Sequence, residues 1–287
     1  MFTNICSIFI LYKPNLGLLE SNVKLAASST KRVLLFDNSS DRLPQAFLHK
    51  IKQENVEYKF NNGNAGIAAA LNAGLKWAES YGYSHLLTMD QDSQFPIEFV
   101  QASTSFLRKD TAKLGVLCPN LIPFKGAMRS QIKTKTSPLR YALSSGSIMN
   151  VDVCAALGGF RNKFFIDGVD QEMCFNLRKN GYEIVQINNV YMQHNLGNNA
   201  REIKLLGRHL FNVLNESSFR YYYMYRNYLE ICKMYRESLP QDCRELKTSL
   251  VKTFIKMLLF EPDKCSKIRF AIKGIIDYTK GKFGQLK

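Results

Sequence analysis

"HLLTMDQDSQFP" (85–96) carries a short apolar run straight into two aspartates, Asp90 and Asp92, with one glutamine between them. An apolar run of that length, ended by polar and turn-forming residues, reads as a buried strand, and Pro96 marks where a helix can start. The same rhythm recurs on either side. "CSIFILY" (6–12), "RVLLFDN" (32–38), "VEYKFN" (56–61) and "KLGVLCP" (113–119) read as further strands, and residues 15–28, 43–53, 66–80 and 96–107 carry helical patterns. Strands and helices alternating in this way predict an α/β fold with a mostly parallel sheet covered by helices on both faces. Ligands of such sheets bind beyond the carboxyl ends of the strands, so the residues just after each strand are the candidates.

The second half changes character. "SSGSIMNVDV" (144–153) reads as a strand entering a short helix that stops at Gly158 and Gly159. "FFIDGVDQEMCFNLRKNGYEIVQINNVYMQH" (164–194) reads as a loop, a helix to about Asn180, a stop at Gly181 and a strand. Residues 218–239 and 244–280 are rich in Tyr, Leu, Ile and Lys and predict helices with no strand between them.

The chain has 287 residues and a formal charge of +15, from 39 Lys and Arg against 24 Asp and Glu. From residue 200 onward there are 18 basic and 9 acidic residues, so the surplus leans toward the C-terminus. Such an excess suits nucleic acid, an anionic membrane surface or a phosphorylated substrate. No apolar run approaches the roughly 20 residues that cross a bilayer. "NICSIFILYKP" (4–14) has no basic start and meets Pro14, so it reads as a first strand and not as a secretion signal; the expectation is a cytoplasmic protein. The seven cysteines are odd in number and show no C-x-x-C pair, which argues against a disulfide framework and against a zinc site.

Asp90 and Asp92 would face one ligand together if the strand geometry persisted through them, since residues two apart share a face. Two hard oxygen donors suit Mg²⁺ or Mn²⁺, which would hold the oxygens of a diphosphate; the competing reading is a cap on the helix near Pro96. "NNGNAGIAAALNAG" (61–74) follows a strand and opens a helix, with small residues that admit a ligand or allow close packing on the sheet. It is neither a P-loop nor a G-x-G-x-x-G turn. Asp37, at the end of a strand, can meet a ribose or base, or cap a turn in "DNSS". Asp167, Asp170 and Glu172 precede or open an amphipathic helix, where one can act as a general base or all can serve its first turn. His194 ends a strand beside a glycine-containing loop, where it can reach a metal or diphosphate or be structural.

Taken in order, "ILYKPN", "LLFDNSS", "NNGNAGIAAALNAG", "LLTMDQDS", "SSGSIMNVDVCAALGGF", "FFIDGVDQEMCFNLRKNGY" and "MQHNLG" resemble glycosyltransferase family 2, and within it the bacterial rhamnosyltransferase-like branch, over about residues 4–200. The resemblance implies a GT-A-type, Rossmann-like fold, a nucleotide-sugar donor and inversion at the anomeric carbon. It implies a catalytic domain over 1–200, with a nucleotide-sugar half to about 118 and an acceptor half from 119, followed by a basic helical extension over 201–287. Tyr12, Asp37, Asn64 and Gly66 would line the nucleoside; Asp90 and Asp92 would hold a divalent metal and the diphosphate, with His194 close by. Asp170 would be the catalytic base and Glu172 a support for the acceptor site. Val169 and Met173 depart from the branch, where an acid and a tryptophan are common. The donor implied is dTDP-L-rhamnose, with a UDP-hexose as the alternative, and the acceptor a saccharide, commonly lipid-linked, in surface polysaccharide assembly. A sugar-nucleotide pyrophosphorylase lacks its Gly-rich basic loop in "YKPNLG", and a nucleic-acid-binding module has no signature among the motifs. The C-terminal lysines around helically spaced Leu and Ile predict peripheral contact with the inner face of the membrane, or a solvated face on packed helices.

Overall fold

All seven residues of β1 (Ile5–Leu11) and all five of β2 (Val33–Asp37) are buried. That is the pattern of central parallel strands covered on both faces. The computed structural model describes residues 4–108, 111–122, 134–193, 201–205, 208–213 and 215–286. The first half continues with α1 (Leu16–Ser29), α2 (Gln45–Lys50), β3 (Val56–Phe60), α3 (Ile67–Ser80), β4 (His85–Asp90), α4 (Ile97–Phe106) and β5 (Leu114–Ile122). The second half adds β6 (Thr136–Leu139), β7 (Ser147–Asn150), α5 (Val151–Ala156), α6 (Val169–Lys179) and β8 (Glu183–Gln193). A two-stranded ribbon, β9 (Arg201–Leu205) with β10 (Arg208–Val213), leads to three helices, α7 (Ser218–Tyr235), α8 (Pro240–Phe260) and α9 (Lys264–Thr279).

The main sheet has eight strands in the order β3-β2-β1-β4-β7-β5-β8-β6. Its β3-β2-β1-β4 part and the β5-β8 pair are parallel, while β7 and β6 run against their neighbours. The mostly parallel α/β architecture expected from the alternating pattern is therefore present. Register aligns Leu11 with Asp37 and Ile10 with Asp90, so the ends of three strands lie side by side on one edge. Buried residues fill one cluster on each face of the sheet and a third, small one among the C-terminal helices; Ile231, Cys232 and Tyr235 of α7 belong to the first.

Local chemistry explains most of the boundaries. Asn15 caps α1 by accepting from the Leu18 N–H, and Asn150 caps α5 by accepting from the Val153 N–H. Gly181, at φ +82°, ends α6, with the Tyr182 N–H reaching back 3.0 Å to the Leu177 carbonyl. The helical stretch 244–280 is two helices, broken where Pro262 follows Glu261 and Asp263 turns at φ +55°. Two expectations change. The segment before α7 holds a ribbon, and β6 is a strand whose four residues, with Pro138 among them, lie on the sheet edge where pattern recognition is weakest. "SSGS" is a turn and not strand: Gly146 sits at φ +79°, and β7 begins only at Ser147.

Candidate active site

β4 ends at Asp90, and Gln91 and Asp92 already form a turn, so the two aspartates do not share a strand face. They nevertheless line the same cleft, a cavity of about 1000 Å³ bounded also by Asp167, Asp170, Ser144, Ser145, Arg220 and Tyr228. The helix that they would cap starts at Ile97 with Pro96 at its N-cap. The turn before β7 is what brings the cleft together. The Gly146 N–H donates 2.7 Å to the Thr88 carbonyl, the Thr88 hydroxyl donates to the Ser144 carbonyl, and the Asp90 N–H donates 3.2 Å to Ser145 Oγ. A side chain at Gly146 would run into the sulfur of Met192, so only glycine lets this turn lie against β8.

Asp170 opens α6 directly after Gly168, which is in the left-handed conformation at φ +82°. Ser144 donates to its carboxylate from both hydroxyl and backbone N–H, and its Oδ1 is buried with no hydrogen-bond partner. Burial pushes Asp170 up to about 6, against the pull of those two bonds. Burial, with the carboxylates of Asp170 and Asp92 alongside, pushes Asp90 up to about 7. Three acids crowded on one cleft floor form a site that a cation would relieve. Arg220 of α7 provides positive charge there; its guanidinium grips both oxygens of Asp167 and reaches Glu216 at 2.8 Å.

The other expected residues lie elsewhere. Glu172, one turn along α6, is fully buried, accepts from Arg161 Nε at 3.0 Å and Tyr235 at 2.6 Å, and is not part of the cleft lining. Asp37 is fully buried and accepts from the Ser39 N–H at 2.9 Å and the Tyr58 hydroxyl at 2.6 Å. Tyr12 is 48% exposed, and its backbone is held to the side chain of Gln91 at 2.6 and 2.9 Å, beside Asp90. Asn64 accepts from the Gly66 N–H, and the Ile67 N–H donates 2.7 Å to the Phe165 carbonyl, so the N-cap amide and the first amide of α3 are used within the protein. His194 lies outside the described residues.

Gly66 connects the two halves. At φ +86° and ψ 165° it occupies backbone space open essentially to glycine, and a Cβ would lie 2.6 Å from the Phe165 carbonyl and ring. Gly66→Ala is expected to cost about 1–3 kcal/mol in conformational strain, before any displacement of Phe165. Phe165 lies in the loop that carries Asp167 and leads into α6 with Asp170, so activity should fall along with the urea midpoint; an unchanged midpoint would refute the close approach.

Sequence reasoning placed a helix over 218–239, which is α7, but missed its part in the site. Its Asn227 Nδ2 lies within hydrogen-bonding distance of the carbonyls of Phe164, Ile166 and Asp167, at 3.0, 2.8 and 2.6 Å. Arg226, fully buried, donates to the carbonyls of Lys163, Phe164 and Gly284. The loop that presents Asp167 and Asp170 is thus clamped from behind by the C-terminal helices. The available signal was "YRNY" (225–228), an arginine and an asparagine together inside an otherwise aromatic helical run.

A mostly parallel sheet carries acidic residues at one strand end and an acid-bearing helix across the cleft, a ligand site at the place where open α/β sheets bind theirs. Residues 16–154 match the model of glycosyl transferase family 2, so the chain carries a domain of that family. The chain is 24% identical over 298 residues to the dTDP-rhamnosyl transferase RfbF of Shigella flexneri, covering 99% of this chain and 98% of that one. The chain is a glycosyltransferase, with a rhamnosyltransferase-like sequence. The fold is similar to S. aureus TarS 1–349, with a TM-score of 0.62 at 16% identity over 95% of this chain and 80% of that one. It is also similar to GalNAc-T7 solved with UDP, GalNAc and Mn²⁺, with a TM-score of 0.63 at 13% identity over 98% of this chain and 56% of that one. The GT-A architecture is thereby established for this chain.

Proposed function

We propose that the protein is an inverting glycosyltransferase that moves L-rhamnose from dTDP-L-rhamnose onto a hydroxyl of a lipid-linked surface saccharide, working at the inner face of the cell membrane. The observation that carries the transferase chemistry is the meeting of Asp90, Asp92 and Asp170 on one cleft floor with Asp170 Oδ1 left without a partner. The donor reading is supported by the similarity to a dTDP-rhamnosyl transferase along nearly the whole chain. In this reading residues 1–200 bind donor and acceptor, and residues 201–287 brace the acceptor side and extend it. Tyr12, Asp37 and the Asn64–Gly66 loop stand at the donor end, and Glu172 acts through α6 by fixing Arg161 and Tyr235.

The residues fit a hard divalent cation, Mg²⁺ or Mn²⁺: the donors are carboxylate oxygens, and burial with neighbouring carboxylates raises Asp90 in a way a cation would reverse. Among the described residues no group of three or more His, Cys, Asp or Glu is placed to hold a metal ion by itself, so a Mg²⁺ or Mn²⁺ here would have to take further oxygens from the diphosphate and water. Asp90 and Asp92 would hold it, and when bound it would neutralise charge on the departing diphosphate. Asp170 takes the proton of the acceptor hydroxyl as that oxygen bonds to the anomeric carbon, while the bond from that carbon to the diphosphate breaks. Attack from the face opposite the leaving group inverts the centre, and no enzyme nucleophile is needed. Ser144 keeps the Asp170 carboxylate oriented, and Arg220 holds Asp167 beside it.

A panel of sugar nucleotides tests the donor. Release of dTDP from dTDP-L-rhamnose, stimulated by Mn²⁺ and well above release of UDP from UDP-hexoses, is the expected result; preference for a UDP-hexose overturns the donor assignment. Asp92→Ala is expected to weaken Mn²⁺-dependent binding of dTDP at least about tenfold, the range seen when metal-site support is removed. Thymidine, which has no diphosphate, should bind the variant and wild type alike in calorimetry. Equal dTDP affinity of the two proteins with Mn²⁺ present would remove Asp92 from the metal site.

A further inference from the structure

We propose that α8 and α9 form a docking surface for an anionic membrane, their outward apolar stripes entering the headgroup boundary and their basic flanks meeting acidic phospholipid. Among the described residues, every large aliphatic side chain that is exposed lies on these two helices. On α8 they are Val251, Ile255, Leu258 and Leu259, which recur at i, i+4, i+7 and i+8 and so form one stripe. On α9 they are Ile272, Ile275 and Ile276, again on one face.

These stripes are not the packing faces of the bundle. Met257 of α8 and Ala271 of α9 turn inward to meet Tyr221 of α7, with Phe254 and Ile268 beside them. Gly274 brings α9 against the α7 backbone so closely that a Cβ would meet the Tyr222 carbonyl. What remains outward is apolar surface left over after the helices have packed, and it is concentrated rather than scattered.

Charge selects the occupant. Arg244, Lys247 and Lys252 are exposed on α8, and Lys264, Arg269 and Lys273 on α9. The exposed carboxylates on and between these helices are Glu245, which pairs with Arg140, and Asp263. A surface that covers apolar stripes and cationic flanks together must be apolar and negative at once, as an acidic lipid interface is. No helix among the described residues is long and apolar enough to cross a membrane, so α8 and α9 would lie on the surface. This deepens, and for its biological sense rests on, the reading of the acceptor as lipid-borne: another face of α8 gives Ser249, Thr253 and Lys256 to the cleft lining.

Sedimentation with vesicles tests it. Wild type should pellet with phosphatidylglycerol–phosphatidylcholine vesicles at low salt, far less at high salt, and little with phosphatidylcholine alone. Ile255→Asp with Leu259→Asp, and separately Lys247→Glu with Lys252→Glu, should each weaken binding at least about tenfold. All four positions are exposed, and donor hydrolysis measured without vesicles should stay at the wild-type level, which reports that the variants are folded. Wild type remaining in the supernatant with phosphatidylglycerol at low salt overturns the proposal, as does equal binding to neutral vesicles. A dimer in sedimentation velocity that Ile255→Asp with Leu259→Asp dissociates, in a protein indifferent to vesicles, would assign the surface to a second copy. Vesicle binding without any donor hydrolysis would overturn the transferase reading and leave this surface standing.

Discussion

Asp170→Asn should bind donor as wild type does and transfer sugar about 100- to 10,000-fold more slowly, the usual cost of removing a general base. The amide has nearly the shape of the carboxylate, so Ser144 can still hold it through the oxygen, and the cleft floor keeps its volume. What disappears is the oxygen that takes a proton. Oδ1 is buried without a partner, and the substitution puts either an amide N–H or a carbonyl oxygen there, neither able to act as base at neutral pH. Loss of one of the crowded negative charges should leave donor binding unchanged or slightly tighter, because Asp90 then has one fewer acidic neighbour. Calorimetry with dTDP and single-turnover transfer separate the two effects. Transfer within a fewfold of wild type would move the base to another residue. Loss of donor binding together with transfer would instead make Asp170 part of the donor site.

The parallel core and the cleft acids were legible because their signals are local. Each of the strands Ile5–Leu11, Val33–Asp37 and His85–Asp90 is a short, mostly apolar run, the last two ending in an aspartate, and the periodicity switches to a helical one after it. Asp90 and Asp92 stood out by their position after an apolar run, although they share a cleft through a turn and not through a common strand face, while position left Asp170 level with Asp167 and Glu172 and only the family resemblance singled it out. Glu172 shows where such reasoning stops. An acid in the first turn of a helix looks the same in sequence whether it faces a cleft or, like this one, a buried arginine and tyrosine from distant segments. The serine turn at 144–146 was read as strand because "SSG" has no proline or asparagine ahead of "SIMN" to mark the boundary, and the positive φ of Gly146 is specified by Met192 and Thr88, far away in the chain. Arg220, Arg226 and Asn227 were invisible for the same reason: their partners in the loop before α6 lie more than fifty residues upstream, so helical spacing gives no hint of them.

Arg226→Met should lower stability by about 3 kcal/mol or more, since two bonds from a charged donor are each worth roughly 1.5–3 kcal/mol and methionine replaces none of them. The side chain is fully buried on α7, donating 2.8 Å to the Gly284 carbonyl and 3.1 Å to the Phe164 carbonyl. Its guanidinium also lies 4.9 to 5.3 Å from the ring centroids of Tyr222, Tyr223 and Phe283, attractions that a thioether reproduces only in part. The Tyr222 hydroxyl that accepts from Arg226 donates in turn to Asp277 of α9, so one substitution loosens the loop, α7 and α9 together. A loss of this size is a large part of the roughly 5–15 kcal/mol that holds a domain folded, and should appear as a lower urea midpoint with an unchanged slope. Asn227→Ala is the companion variant. It removes the amide from the carbonyls that immediately precede Gly168 and α6, so its loss of transfer rate should exceed its loss of stability, and donor binding should hold. If Arg226→Met keeps the wild-type midpoint and Asn227→Ala the wild-type rate, the C-terminal helices do not brace the loop that carries the acids, and the site is held from the sheet side alone.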